Sequence, residues 1–243
     1  MRAPGYLRSA VAPERGNAVP STNRGFQKRT SRILVVDDHP VVRRGIAQLI
    51  DGERDLEVCA EADSAAATLV AIDSAKPDLV ILDLTLAGTS GLGLIKDVKV
   101  RHPDVPILVL SMHDESLYAE RALRAGAAGY IMKQEATEHI VEAIRQVLRR
   151  EVYLSERMAT RMLHRFVGRP GDPGHLAPIE TLTDRELEVF RLVGHGLSTR
   201  QIAAQLFLSV KTIETHLEHI KTKLGLESGR ELVRHAVKWT LEN

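Results

Sequence analysis

The chain has 243 residues, of which 44% are hydrophobic and 27% charged, a length and balance that fit two globular domains rather than a disordered or fibrous protein. The single cysteine, Cys59, excludes an internal disulfide framework, no Cys/His cluster has zinc spacing, and no run reaches the roughly 18–20 apolar residues of a membrane span. The formal net charge of +1 hides a segregation: residues 1–31 carry six basic residues against Glu14, residues 32–151 fourteen against twenty acidic, and residues 177–243 nine of each.

Residues 1–31 mix prolines, glycines and scattered arginines without periodicity, and read as a disordered basic tail that lacks the apolar stretch of a secretory signal. From Arg32 the pattern changes. Five short apolar runs follow, at Ile33–Val36, Leu56–Ala60, Leu79–Leu82, Ile107–Leu110 and Gly129–Met132. Most are nearly continuous in Val, Ile and Leu, as strands buried on both faces of a sheet require. Segments with helical spacing separate them, such as Val41, Ile46, Leu49 and Ile50, or Ile140, Val141, Ile144, Val147 and Leu148. This alternation predicts an α/β domain built on a doubly wound, five-stranded parallel sheet.

Residues 151–177 read as a linker. They open on a helical stretch from Ser155 to Phe166 and then loosen into Gly168, Pro170, Gly171, Pro173 and Gly174. Beyond it the strand signal vanishes. Thr183-Asp184-Arg185-Glu186 has the form of a capping box opening a helix to about Val193. Ser198 caps a short helix through Leu206, Ser209 caps a longer one through Leu224, and a last helix runs from about Ser228 to Leu241. The C-terminal piece is thus a small four-helix, all-α domain over residues 178–243.

Parallel α/β sheets place their sites at the carboxyl ends of the strands. There the chain puts Asp37 and Asp38 after the first run, Asp83 after the third, Ser111 after the fourth and Lys133 after the fifth. With the first and third strands adjacent, three aspartates converge, and their mutual repulsion calls for a cation. Oxygen ligands in a cleft open to water suit Mg²⁺. Lys133 adds a point charge and Ser111 a hydroxyl. The set fits phosphoryl transfer to a carboxylate nucleophile. One aspartate after a buried strand is ordinarily a turn residue or a helix cap; it is the ordered set that carries the reading.

Residues 32–150 resemble the receiver domain of bacterial two-component response regulators, a flavodoxin-like fold. Ile33-Leu34-Val35-Val36-Asp37-Asp38-His39 and Gly129-Tyr130-Ile131-Met132-Lys133 carry the match. The resemblance implies that Asp83 accepts phosphate from a sensor histidine kinase. It also implies that Asp38, Asp83 and the backbone carbonyl of Thr85 bind Mg²⁺ directly, with Asp37 acting through water. Lys133 would pair with the phosphoryl group, Ser111 move toward it, and Tyr130 swing inward behind it. The family usually has Met-Pro where this chain has Leu86-Ala87, which predicts a looser loop, while Gly91 is retained. Haloacid-dehalogenase-like phosphatases also use an aspartate nucleophile, but they need a second aspartate at the position of Thr85. That points away from a turnover enzyme.

The C-terminal helices have the layout of a helix-turn-helix, whose second helix enters the major groove. Leu182 to Val189, Gly196 to Ala203, Ser209 to His216 and Lys223-Leu224-Gly225 resemble the LuxR-type DNA-binding domain. Both halves together are similar to NarL/FixJ-type response regulators. That likeness implies double-stranded promoter DNA, a homodimer when active and RNA polymerase as partners, a cytoplasmic location and no membrane. Phosphate contacts are expected from Ser198, Thr199, Arg200, Lys211, Thr212, Lys221 and Lys223, and base contacts from Glu214, Thr215 and Glu218. Because this domain is formally neutral, monomeric binding is expected to be weak and rescued by pairing. The resemblance places the dimer face on Leu232, Val233, Ala236 and Val237, and expects the receiver to mask the recognition helix until phosphorylation. The competing reading is a phosphorylation-independent DNA-binding dimer whose receiver serves only as an interaction module.

Overall fold

The structure, a computed structural model, describes residues 30–86, 89–167 and 178–242. Most of the basic tail, Ala87 of the loop after the third strand, and residues 168–177 of the expected linker lie outside the described residues.

The first unit runs β1 (Ser31–Val36), α1 (Pro40–Asp51), β2 (Leu56–Ala62), α2 (Ala65–Ala75) and β3 (Leu79–Asp83). A two-residue ladder, β4 (Thr85–Leu86) with β5 (Thr89–Ser90), precedes α3 (Gly91–Arg101), β6 (Ile107–Ser111), α4 (Glu115–Ala125), β7 (Gly129–Met132) and α5 (Ala136–Leu148). The main sheet is five-stranded and parallel, in the order β2-β1-β3-β6-β7. Its β1, β3 and β6 are buried on both faces over their apolar residues, which is why they read as unbroken Val/Ile/Leu runs. The switch in strand order between β1 and β3 opens a crevice at their carboxyl ends.

Asp83 and Ser111 are the last residues of β3 and β6 rather than the first residues beyond them, because Asp83 still pairs with Leu110 and Ser111 with Met132. The sheet therefore holds their Cα positions directly. Ala87, where the family usually has proline, lies outside the described residues, while at the described ends of the loop after β3 Leu86 is buried and paired with Thr89. Gly91 permits this. A Cβ there would fall 2.4 Å from Leu84 Cα, so only glycine lets α3 start against the residue that follows Asp83.

A sixth helix, α6 (Glu156–Val167), follows the sheet and is tied to it at its start. Tyr153 bridges to Gly129, Ser155 Oγ accepts from Met158 N as a cap, and Ser155 also bonds the buried carboxylate of Glu115 at the head of α4. The second unit consists of a 3-10 turn (Pro178–Thr181), α7 (Asp184–Gly194), α8 (Thr199–Gln205), α9 (Val210–Leu224) and α10 (Gly229–Glu242). The capping box read from the sequence is present at Thr183 and Glu186, and a second one joins Ser198 to Gln201.

Helix α10 lies across α7, with Phe190 5.8 Å from Trp239 and 5.9 Å from His235 between ring centroids. The helices approach closely at Gly194, where a Cβ would stand 2.0 Å from Thr240 Oγ1 and 2.6 Å from the carbonyl oxygen of Ala236. Gly194→Ala gains about 1 kcal/mol of helix propensity but must push two backbones apart. Denaturant unfolding should show a net loss of about 2 kcal/mol in this unit. An unchanged midpoint would mean that α10 yields at no cost.

Candidate functional site: an acidic crevice and a helical output surface

At the carboxyl edge of the sheet, Asp37 and Asp83 face each other across Lys133. The ammonium lies 2.7 Å from Asp37 Oδ2 and 2.7 Å from Asp83 Oδ2, and its side chain is 9% exposed. Strand β7 ends just before Lys133, whose amide donates to the Ser111 carbonyl at 2.8 Å, so the sheet aims the side chain into the crevice. Burial would lower the Lys133 pKa, but its pairing with the Asp37 and Asp83 carboxylates outweighs it and holds the amine above its ordinary value. Burial raises the Asp83 carboxyl despite the bonds from Lys133 and from the Thr85 amide, which donates to Asp83 Oδ1 at 3.1 Å.

Asp38 sits at the rim, with Oδ1 2.7 Å from the Nδ1 of the exposed His39. One ligating atom from each of Asp37, Asp38, His39 and Asp83 falls within 4.8 Å of the others. Asp37 Oδ2 and Asp38 Oδ1 are buried and accept no well-oriented hydrogen bond, although each lies at ion-pair distance from a basic nitrogen. Three neighbouring carboxylates, two of them with a buried oxygen that lacks a hydrogen-bond donor, fit a hard divalent cation that keeps part of its water shell.

Behind the crevice, the expected Ser111 and Tyr130 are joined by two side chains that the sequence reading did not single out, His113 and Tyr118. Ser111 is fully buried and its Oγ accepts from the His113 amide at 3.1 Å. The His113 ring meets Thr85 Oγ1 at 3.0 Å and stacks on Tyr118 with centroids 4.7 Å apart. Burial, with Arg191 adding positive charge, drops the His113 pKa to about 3, so the ring is neutral at neutral pH. Tyr130 is 0% exposed, and its hydroxyl donates to the His113 carbonyl at 2.8 Å. The expected inward swing of Tyr130 therefore has no starting point here: the ring already fills the space behind Ser111. Only the position of His113, two residues past Ser111, could have drawn attention to it; its ring partner Thr85 comes from a distant segment.

The two units share one continuous apolar cluster, and charged residues also join them. Asp184, the first residue of α7, receives Lys96 of α3 at 3.0 Å and Arg121 of α4 at 3.1 Å. Arg121 also donates to the Glu180 carbonyl at 3.2 Å, and Arg161 of α6 pairs with the Glu180 carboxylate at 2.6 Å. A narrow cleft between His113, Tyr118, Glu188 and Arg191 continues this contact toward the crevice.

On the output surface, Lys211, Glu214, Thr215 and Glu218 of α9 are exposed, as is Arg200 of α8. Masking of the recognition helix is not what the structure contains; the receiver holds the start of α7 and leaves this face of α9 open. Ser198 and Thr199 begin α8, where the Ser198 hydroxyl bonds Gln201. The Thr212 hydroxyl bonds Ser209, and Lys221 pairs with Glu218 at 2.9 Å. Lys223 departs from its expected role as a phosphate contact. Its ammonium lies 2.6 Å from the buried Glu186, tying α9 to the start of α7. Burial alone would raise the Glu186 pKa, but Lys223 and Thr183 lower it below the ordinary value.

The expected dimer face also divides. Leu232 and Ala236 are 2% and 0% exposed and belong to the core against α7, whereas Val233 and Val237 are 47% and 36% exposed. A helix turns 100° per residue, so neighbours in such pairs point to different faces and only one of each reaches the core.

The comparisons with known proteins agree with both halves. Residues 33–145 match the family model for the response regulator receiver domain, and residues 180–236 that for bacterial regulatory proteins of the luxR family. The oxygen regulatory protein NreC of Staphylococcus carnosus (strain TM300) is 37% identical over 210 residues, spanning 85% of this chain and 97% of that protein. A LuxR-family two-component response regulator from Aurantimonas sp. SI85-9A1 superposes with a TM-score of 0.54 at 34% identity, over 57% of this chain and 99% of its own. RcsB of Salmonella enterica serovar Typhimurium, solved on promoter P1flhDC with the phosphomimetic BeF3-, gives a TM-score of 0.65 at 25% identity, over 86% of this chain and 98% of that one. Among the described residues no helix is long and apolar enough to cross a membrane. With a receiver on a five-stranded parallel sheet followed by a LuxR-type helix-turn-helix unit, the chain belongs to the NarL/FixJ-type two-component response regulators.

Proposed function

We propose that this protein is a phosphorylation-gated transcription factor of the cytoplasm, in which Asp83 takes a phosphoryl group from a sensor histidine kinase and the modified chain pairs on promoter DNA. The observation that carries this reading is the buried Asp83 carboxylate held by Lys133 beside Asp37 and Asp38. An Asp83 oxygen attacks the phosphorus of the kinase's phosphohistidine. The P–N bond breaks as the P–O bond forms, and the imidazole leaves with a proton from solvent. Lys133 moves from the carboxylate to a phosphoryl oxygen, and Ser111 turns its hydroxyl to another. Asp38, Asp83 and the Thr85 carbonyl would hold Mg²⁺ directly and Asp37 through water; bound there, the ion supplies positive charge to the phosphoryl oxygens. Beyond slow hydrolysis of its own acyl phosphate, the chain turns over no substrate.

The output is reached through α4. When Ser111 leaves the His113 amide for the phosphoryl group, the segment leading into α4 moves, with Tyr130 and Tyr118 as its packing. Arg121 then withdraws from Asp184 and Glu180, freeing α7 and with it the output unit. The freed units pair through the exposed Val233 and Val237 of α10, which sets two α9 helices for adjacent half-sites. Arg200 and Lys211 contact phosphates, while Glu214, Thr215 and Glu218 face base edges. Held at a promoter, the dimer meets RNA polymerase.

Removing the charge at Asp184 should mimic part of this release. Two partly exposed ion pairs are worth about 1 kcal/mol together, so unphosphorylated Asp184→Asn should bind DNA about fivefold more tightly than the parent protein. Unchanged affinity would show that these pairs do not restrain the output unit. The reading as a whole is tested by treating the full chain with acetyl phosphate and Mg²⁺, followed by intact mass and sedimentation. One phosphoryl group per chain and a shift to dimer are expected; a chain that takes up no phosphate contradicts the proposal.

A further inference from the structure

The loop that carries Asp37 and Asp38 is held locally by the His39 amide, which donates to Asp37 Oδ1 at 2.8 Å, while the peptide between the two aspartates is reached by a more distant group. Helix α1 starts at Pro40 without a side-chain cap from His39, and Asp38 projects from the turn between β1 and α1. One long side chain reaches back to it from the first turn of α1. The Arg43 guanidinium donates through Nη1 to the Asp37 carbonyl oxygen at 2.6 Å and through Nε to Glu61 Oε2 at 2.8 Å. Its side chain is only 17% exposed. Glu61 sits next to last in β2, where Ala62 accepts the Asp37 amide at 3.1 Å. The planar fork of Arg43 thus spans α1, the end of β1 and the end of β2, and fixes the peptide that joins Asp37 to Asp38.

We propose that Arg43 is a positioning residue for the divalent-cation site, holding the Asp37–Asp38 peptide so that both carboxylates face the crevice; this rests on the Mg²⁺ reading given above. The alternative physical role has the opposite sign. A guanidinium beside an acidic crevice repels a divalent cation, so if Arg43 acted through charge alone its removal would strengthen Mg²⁺ binding. If it acts by positioning, removal weakens binding, as loss of an outer partner that orients metal ligands does. Lysine keeps the charge but not the fixed two-pronged geometry, which separates the two roles again.

The experiment is the Mg²⁺ dependence of the melting temperature of the full chain, for wild type, Arg43→Gln and Arg43→Lys. Positioning predicts that Arg43→Gln needs about 10-fold more Mg²⁺ for half of the stabilising shift, with Arg43→Lys also displaced in that direction. A merely structural arginine would lower the melting temperature without metal and leave the half-saturating concentration where it was. Half-saturation equal to or below wild type in both variants overturns the proposal. Should Arg43→Gln fail to fold, Arg43→Lys decides alone. A wild-type curve that does not respond to Mg²⁺ overturns this inference together with the cation reading, and is distinguished from a failure of Arg43 alone by the wild-type trace.

Discussion

Asp83→Asn should abolish phosphoryl uptake from acetyl phosphate or a kinase while leaving the fold in place. Loss is expected to be complete because an amide oxygen does not form the acyl phosphate, and the nearby carboxylates are poorly placed to substitute. Asp37 is turned onto Lys133 at 2.7 Å and accepts the His39 amide at 2.8 Å, and Asp38 lies at the rim. The fold should survive since Asn retains the oxygen that accepts the Thr85 amide, and Lys133 keeps Asp37 as its partner. Burial also disfavours the Asp83 charge, so neutralising it removes an unfavourable desolvation along with one favourable pair. Intact-mass measurement decides the point. A phosphoryl group retained on Asp83→Asn, mapped to Asp37 or Asp38, would move the acceptor site.

Lys133→Met should have the largest effect on stability. The ammonium is the one cation between two buried carboxylates among the described residues of the crevice, and deleting it leaves like charges facing each other out of water. Removing one partner of a buried ion pair costs about 3 kcal/mol or more, and methionine preserves most of the stem packing. On the proposed reading, Mg²⁺ would be held beside the same carboxylates that Lys133 now pairs with. The variant should therefore recover part of its loss in Mg²⁺ and gain more from the ion than wild type does, by the usual linkage between binding and stability. Urea unfolding with Mg²⁺ or with a chelator reads both quantities. Equal stability of variant and parent in chelator would mean that the two aspartates are not both charged in the folded protein.

Much of this architecture is legible along the chain because local chemistry and global fold agree. Strand β7 lies at Gly129–Met132 as its apolar run indicates, and the caps at Thr183, Ser198 and Ser209 begin helices where the side-chain oxygens can meet free amides. The acidic crevice is legible for the same reason: residues at the ends of adjacent parallel strands must converge. What is not legible depends on contacts between distant segments. Nothing in the local sequence says that His113 will stack on Tyr118 and bond Thr85, or that Glu115 will hold Ser155. Nor does spacing say that Lys223 turns inward to Glu186, since an exposed helix face offers DNA phosphate and buried carboxylate alike. Leu232 and Val233 are equally apolar, and only the position of α7 decides which is core.

The charge distribution takes on a sharper meaning in this light. The formally neutral output unit spends Lys221 on Glu218 and Lys223 on Glu186, which leaves Arg200 and Lys211 as its cations nearest the open face of α9 without an ion pair among the described residues. If these two residues are the main phosphate contacts, as proposed, one unit alone would bind DNA weakly and pairing would be the natural point of control.

The most direct test of that control is selection of genomic DNA fragments by the full-length protein, before and after treatment with acetyl phosphate and Mg²⁺, with Asp83→Asn carried in parallel. The account predicts that phosphorylated wild type enriches a set of fragments sharing paired half-sites, and that untreated wild type and treated Asp83→Asn do not. Equal enrichment of the same fragments by all three would contradict it.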